Sequence, residues 1–199
     1  MNSSRRSGNF SRAPKNSPVT PPENIDTPRL RLRKPLIEDA HEIHRNYATD
    51  PEVTRFLTWR PHYSMEESFD VLLTRLKCWE QGTEFTWSLT PRGAAGTVMG
   101  MISATPDPRA AWRWSIGYVL GKPWWGQGYM TEAVGALIAT LLDQPGIQRV
   151  WAYVDEDNYA SARVLEKAGM AREGILRRWS LHPSFGAQPR DCWSFSIAR

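Results

Sequence analysis

Cysteine is scarce in this 199-residue chain. Cys78 and Cys192 stand far apart, with no CxxC spacing and no companion histidines, so they read as two reduced thiols rather than a zinc site. His41, His44, His62 and His182 are scattered without metal spacing, and no metal is expected. No uninterrupted apolar run approaches the roughly 18 residues needed to cross a bilayer, and the N-terminus has no apolar core of the secretory type. A cytoplasmic protein without a membrane partner is the expectation. Internal repeats and acid-rich runs are also missing.

What is present suits one globular domain. The length supports one buried core and is short for two, and a hydrophobic content of 41% is ordinary. The positive charge is uneven. Arg5, Arg6, Arg12 and Lys15 lie in a stretch of 22 residues without an acid, and the remainder balances 21 basic against 21 acidic side chains. Residues 1–25 are therefore read as a disordered basic tail and 26–199 as the domain. A solvated extension is preferred for the tail. Weak steering toward RNA, ribosomes or acidic partners is the alternative, and transit-peptide composition a fainter one.

Hydrophobic periodicity supplies the elements. Arg29–Arg33 alternates apolar and basic residues as a strand with one buried face, and a helical stretch follows from Leu36 toward Asn46. Ser64-Met65-Glu66-Glu67 has the capping-box form, opening a helix marked by Met65, Phe69, Leu72, Leu76 and Trp79 and stopped at Gly82. Strands over 84–89, 97–104 and 112–120 are separated by turn residues and predict an antiparallel meander. An amphipathic helix from Met130 to Leu142, a strand at 150–154, a helix at 160–168 capped by Gly169, and strands at 174–179 and 192–198 complete the order β-α-α-β-β-β-α-β-α-β-β. That order is an α/β sandwich of mixed sheet, unlike a doubly wound fold, which alternates strand and helix throughout.

The stretch Pro123-Trp124-Trp125-Gly126-Gln127-Gly128-Tyr129-Met130-Thr131-Glu132-Ala133 joins a strand to a helix. First-turn amides lack partners within the helix, and the dipole adds partial positive charge there. The natural guest is a phosphate or pyrophosphate, with a plain tight turn as the bland alternative. A P-loop fails because no Lys-Ser or Lys-Thr follows Gly128, and a dinucleotide fingerprint fails because position 131 is Thr rather than Gly.

Over most of its length the chain resembles the GNAT N-acetyltransferases, whose pyrophosphate loop is written Gln/Arg-x-x-Gly-x-Gly/Ala. Trp125-Gly126-Gln127-Gly128-Tyr129-Met130 keeps the central Gly128, while Trp125 and Met130 replace the outer residues. Those departures resemble the RimJ/RimL-like subgroup, which acetylates protein N-termini and carries an aromatic-Gly-x-Gly-Tyr-x-Thr-Glu-Ala turn. Asp157-Asn158-Tyr159-Ala160-Ser161, running on to Leu165-Glu166-Lys167-Ala168-Gly169-Met170, resembles a second family segment, Asn-x-x-Ser…Leu-Glu-Lys-x-Gly-Phe.

The resemblance implies a central, mostly antiparallel sheet of about seven strands with about four helices, splayed between strands 4 and 5. It implies acetyl-coenzyme A as acyl donor. Main chain of Tyr118, Val119 and Leu120 would meet the pantetheine arm. Amides of Gly126, Gln127, Gly128, Tyr129 and Met130, with the Thr131 hydroxyl, would meet the pyrophosphate. Asn158 would bond the pantetheine or cap its helix, and Ser161 would return a proton to the leaving thiolate. Glu132 is expected to stabilise the helix start or point away. The base is unassigned: Ser180 stands where some relatives carry glutamate, which leaves Glu84, Asp107 and Asp155 as candidates. Trp59, Trp87, Trp112, Trp114, Trp124, Trp125 and Trp179 are read mostly as core, with an aromatic acceptor wall as the alternative.

An acetyltransferase acting on a protein N-terminal amine is the leading expectation. The alternatives are a small-amine acceptor, such as a polyamine, amino-acid-like compound or aminoglycoside, and a non-catalytic coenzyme A-binding module. The oligomeric state stays open between monomer and homodimer.

Overall fold

The computed structural model describes residues 19–94 and 96–199. Most of the basic tail lies outside them. Val19 packs on the core and the Pro22 carbonyl accepts the Trp87 indole N–H at 3.0 Å, so the residues just before 26 already belong to the fold.

Strand β1 (Asn24–Asp26), unforeseen in the sequence, pairs antiparallel with β2 (Leu30–Arg33). Three residues gave too short a pattern to recognise. In β2 Leu30 and Leu32 are buried between outward arginines, as the alternation predicted. The expected helix from Leu36 to Asn46 is broken into shorter pieces: α1 (Asp39–Ile43), a π-helical turn over His44–Ala48, and α2 (Pro51–Thr54). The Asp50 side chain accepts the Glu52 amide and Pro51 sits in the first turn, which starts a new helix here.

Helix α3 (Met65–Gln81) runs where the capping box placed it. Ser64 Oγ accepts the Glu67 N–H at 3.4 Å, but Glu67 answers at the Tyr63 amide rather than at Ser64. Gly82 closes the helix with φ 68°.

Strands β3 (Phe85–Pro91), β4 (Gly100–Asp107) and β5 (Ala110–Leu120) form the meander. β4 begins three residues later than predicted, at Gly100, where a Cβ would lie 2.2 Å from the Val119 carbonyl oxygen. Helix α4 (Tyr129–Asp143) then carries the chain to β6 (Arg149–Asp155), parallel to β5. Helix α5 (Tyr159–Lys167), β7 (Ala171–Ser180) and β8 (Arg190–Ala198) follow, with β8 inserted between β6 and β7. The sheet order is β1-β2-β3-β4-β5-β6-β8-β7. Among the described residues there are eight strands and five α-helices, close to the expected seven and four.

Two apolar clusters hold the layers. The larger joins Leu30, Phe85, Trp87 and Trp114 to Met130, Val134 and Leu137 of α4 and to Leu165 of α5. The smaller joins Ile43, Tyr47 and Leu72 to Val98, with Met101 and Val119 against it. Alternation along β5 serves both, because Trp114 and Ile116 enter one cluster and Val119 the other.

Candidate active site

The site begins where the sheet comes apart. β5 and β6 pair only at Arg113–Arg149, Trp114–Val150 and Ser115–Trp151. β5 then continues to Leu120 and β6 to Asp155 with no pairing between them, so their main chain faces a gap.

A cavity opens on each side of that gap. One, of about 500 Å³, is lined by Tyr118, Val119, Leu120, Trp125, Gly126, Gly128, Tyr129, Met130, Thr131, Asn158 and Ser161. The other, of about 520 Å³, is lined in part by Trp59, His62, Arg75, Glu84, Tyr153, Asp155 and His182. Tyr118, Val119, Asn158 and Ser161 border both, so nearly all the sequence-predicted residues converge here. Gln127 is the exception: its carbonyl accepts from Arg29 and its side-chain amide donates to the Pro123 carbonyl.

The glycine turn has the expected form. Gly126 (φ 72°) and Gly128 (φ 79°) are both left-handed, and Gly128 stands at the N-cap of α4 without a side-chain cap. An added Cβ at Gly126 would meet nothing within 4 Å, so the backbone angle rather than crowding demands glycine there. The uncapped first turn offers amides to an anion. Arg163 and Lys167, one turn apart on α5, line this cavity as well. Sequence reasoning missed both, although their spacing on the helix was visible.

Glu132 lies in the first turn of α4 without capping it and does not line the cavity. It accepts from Thr27 Oγ1 at 2.6 Å, the Arg29 amide at 2.9 Å and Arg29 Nε at 2.6 Å, which ties the glycine turn to the β1–β2 hairpin. Arg29 also lies 4.4 Å from the Tyr129 ring centroid. Burial pushes the Glu132 pKa up, but these donors more than offset it and hold the carboxyl below the ordinary glutamate range.

At the junction, Tyr118 Oη lies 2.7 Å from Ser161 Oγ and 3.1 Å from the Ser161 carbonyl oxygen. Burial raises the Tyr118 phenol well above its usual value, against the Ser161 bond, so the phenol keeps its proton. Asn158 caps α5, accepting the Ser161 amide at 3.1 Å, while it also borders both cavities.

The three carboxylates considered as bases are each held by an arginine. Glu84 pairs with Arg75, Asp107 with Arg113, and Asp155 with Arg190. Asp107 lines neither cavity. Ser180 is buried outside the cavity lining, and the position two residues on, His182, lines it instead. The tryptophans divide: Trp87 and Trp114 are buried core, Trp59 lines one cavity, Trp124 and Trp125 the other, and Trp112 and Trp179 are exposed. Trp179 sits edge-on to Trp151 and Tyr153, and Tyr153 lines the same cavity as Trp59.

Comparison with known proteins agrees with this geometry. Residues 29–171 match the family model described as the acetyltransferase (GNAT) domain. The uncharacterized N-acetyltransferase p20 of Bacillus licheniformis is 30% identical over 155 residues, covering 78% of this chain and 86% of that protein. A structure of a putative ribosomal-protein-serine acetyltransferase from Vibrio cholerae superposes with TM-score 0.78 at 23% identity, covering 91% of this chain and all of that one. RimL, a ribosomal L7/L12 alpha-N-protein acetyltransferase solved with coenzyme A, superposes with TM-score 0.77 at 20% identity over 88% and 98%. The splayed sheet, the glycine turn and these matches place the chain in the GNAT acetyltransferase family, and it is an N-acetyltransferase.

Proposed function

We propose that the chain transfers the acetyl group of acetyl-coenzyme A to the α-amine of a protein N-terminus. The carrying observation is the pair of cavities that meet at Tyr118, Val119, Asn158 and Ser161 through the β5–β6 gap. The α4–α5 side takes the donor. Amides of Gly126, Gly128, Tyr129 and Met130, the Thr131 hydroxyl, Arg163 and Lys167 would hold its phosphates, and the exposed main chain of Tyr118, Val119 and Leu120 its pantetheine arm. The thioester is then presented at Ser161.

The opposite cavity takes the acceptor. Its carboxylates Glu84 and Asp155 are neutralised by Arg75 and Arg190, so it offers no electronegative sink for a polycation. That favours a peptide amine over polyamines and aminoglycosides. An α-amine, with a pKa of about 7.7–8.0, also loses its proton far more easily than a lysine near 10.4. Ser161 returns a proton to the departing thiolate, with the protonated Tyr118 phenol behind it.

The test is a thiol-release assay over tetrapeptides with free N-terminal serine, alanine or methionine, N-blocked lysine peptides, spermidine and kanamycin. A free-terminus peptide is expected to lead in kcat/KM by tenfold or more. Preference for spermidine or kanamycin overturns the peptide assignment. Coenzyme A binding without turnover on any acceptor would mark a binding module.

A further inference from the structure

The transferase reading above, on which this inference rests, leaves one task without a residue: the amine must lose a proton as it attacks. The carboxylates of the acceptor cavity, Glu84 and Asp155, are held by arginines. His182, 2% exposed, has Nδ1 3.3 Å from the Leu57 carbonyl, and its buried Nε2, which makes no hydrogen bond among the described residues, lies 3.4 Å from Asp155 Oδ2, so this ring is set against the Arg190–Asp155 pair.

His62 differs. It lines the same cavity, half-buried beside Trp59, whose ring centroid is 5.1 Å away. Its amide donates to the Ala48 carbonyl at 2.9 Å, which fixes the loop ahead of α3. Its Nδ1 is 2.8 Å from Ser68 Oγ, and on the far side of that hydroxyl stands His44 Nδ1 at 3.0 Å. Ser68 is fully buried on α3, and His44 projects from the π-helical turn, a local irregularity often found at functional sites. A serine hydroxyl has one hydrogen and accepts through its lone pairs. When Ser68 donates to His44, His62 must donate from Nδ1, and the His62 Nε2 lone pair is left for the cavity.

We propose that His62 is the general base of the transfer and that Ser68 and His44 are positioning residues that set its tautomer and relay the proton outward. The amine nitrogen forms a bond to the thioester carbonyl carbon while the C–S bond breaks. The amine proton passes to His62 Nε2, the His62 Nδ1 proton to Ser68 Oγ, and the Ser68 proton to His44 Nδ1 and on to solvent. The thiolate takes its proton from Ser161, which is replenished from solvent, so the products are amide and thiol.

Burial lowers the His62 pKa below its ordinary value. Glu67 opposes that shift, and His44 and Arg60 reinforce it, while the Arg75–Glu84 and Arg190–Asp155 pairs facing the cavity are internally neutralised. His62 is therefore neutral and able to accept a proton at physiological pH.

Two measurements test the relay. In the thiol-release assay with the best peptide acceptor, His62→Gln is expected to lower kcat roughly 10²- to 10⁴-fold and remove the acidic limb of the pH profile, with coenzyme A affinity unchanged by calorimetry. Ser68→Ala is expected to move that limb and lower kcat by less. A His62→Gln variant within threefold of the parent, with the limb intact, overturns the assignment. Nitrogen-15 NMR of the free protein reads the tautomer without any acceptor. Nδ1–H on His62 at pH 7.5, titrating below 6.5 and altered in Ser68→Ala, is expected. Nε2–H in its place overturns the relay, and this arm decides even if the peptide panel shows no turnover.

Discussion

Arg190 grips the Asp155 carboxylate through both oxygens, Nε to Oδ2 at 2.5 Å and Nη2 to Oδ1 at 3.0 Å, at a side chain with no solvent exposure. The same guanidinium lies 4.3 Å from the Phe185 ring centroid, so it joins β6, β8 and the β7–β8 loop beside the cavity that Asp155 lines. Removing one partner of a buried ion pair strands the other. Arg190→Met is expected to cost about 3–5 kcal/mol, read as a fall in the urea midpoint at pH 7.

The pH dependence of that pair has a definite sign. Burial pushes the Asp155 pKa up, but Arg190 and the Asp157 amide overcome it, and the folded pKa lies below the unfolded value near 3.9. The stability it contributes is present above that value and is lost as pH falls through the folded pKa. In Arg190→Met only the Asp157 amide and His182 still oppose burial, so the folded pKa rises from that of the parent, and the deficit against the parent is expected to grow as pH rises from about 4 toward 7. Urea titrations across that range measure it.

Glu132 tests whether the glycine turn is held from outside. Glu132→Ala removes the shared acceptor of Thr27 and Arg29. A loss of about 1–3 kcal/mol in unfolding free energy is expected. Coenzyme A affinity should weaken with it, because Arg29 also bonds the Gln127 carbonyl inside the turn. Denaturant unfolding and calorimetric titration separate the two effects.

Ser161→Ala should lower kcat by about 10²-fold or more with little change in the Michaelis constant for acetyl-coenzyme A. Tyr118→Phe should lower it less, since the phenol acts through the serine hydroxyl 2.7 Å away. The double variant should resemble Ser161→Ala alone, because residues acting as one unit are not additive. Equal and additive losses would assign the two groups separate roles.

Gly126→Ala isolates backbone angle from crowding. Its Cβ would meet nothing within 4 Å, yet φ is 72°, so a cost of roughly 1–2 kcal/mol is expected from conformation alone. At Gly128 the added carbon would lie 3.5 Å from Arg29 Nη2, an ordinary contact, and φ is 79°. Both variants should bind coenzyme A more weakly, and comparable stability losses in the two would identify the φ requirement as the common cause.

Much of this was legible along the chain. Leu30 and Leu32 declared a strand by alternation, Ser64 opened a helix, and Gly126 with Gly128 marked a turn that needs left-handed backbone, because each signal depends only on near neighbours. The extent of the first helix was less legible. Pro51 and Asp50 restart it, and the π-helical turn before them has no periodic signature of its own. Arg163 and Lys167 had the right spacing but no visible target.

The amino-acid sequence by itself determined the meander, the glycine turn, the capped helix that carries Ser161 and the likeness to a family of acyltransferases. Tertiary structure alone decided the rest: that Glu132 anchors Arg29 from across the chain, that Tyr118 meets Ser161, that every candidate carboxylate is held by an arginine, and that His44 and His62 share the Ser68 hydroxyl. Periodicity reports which face of an element is buried, and it carries no record of which polar group from a distant element arrives there. Such pairings are set by strand order and by the gap between β5 and β6, which exist only once the sheet has formed.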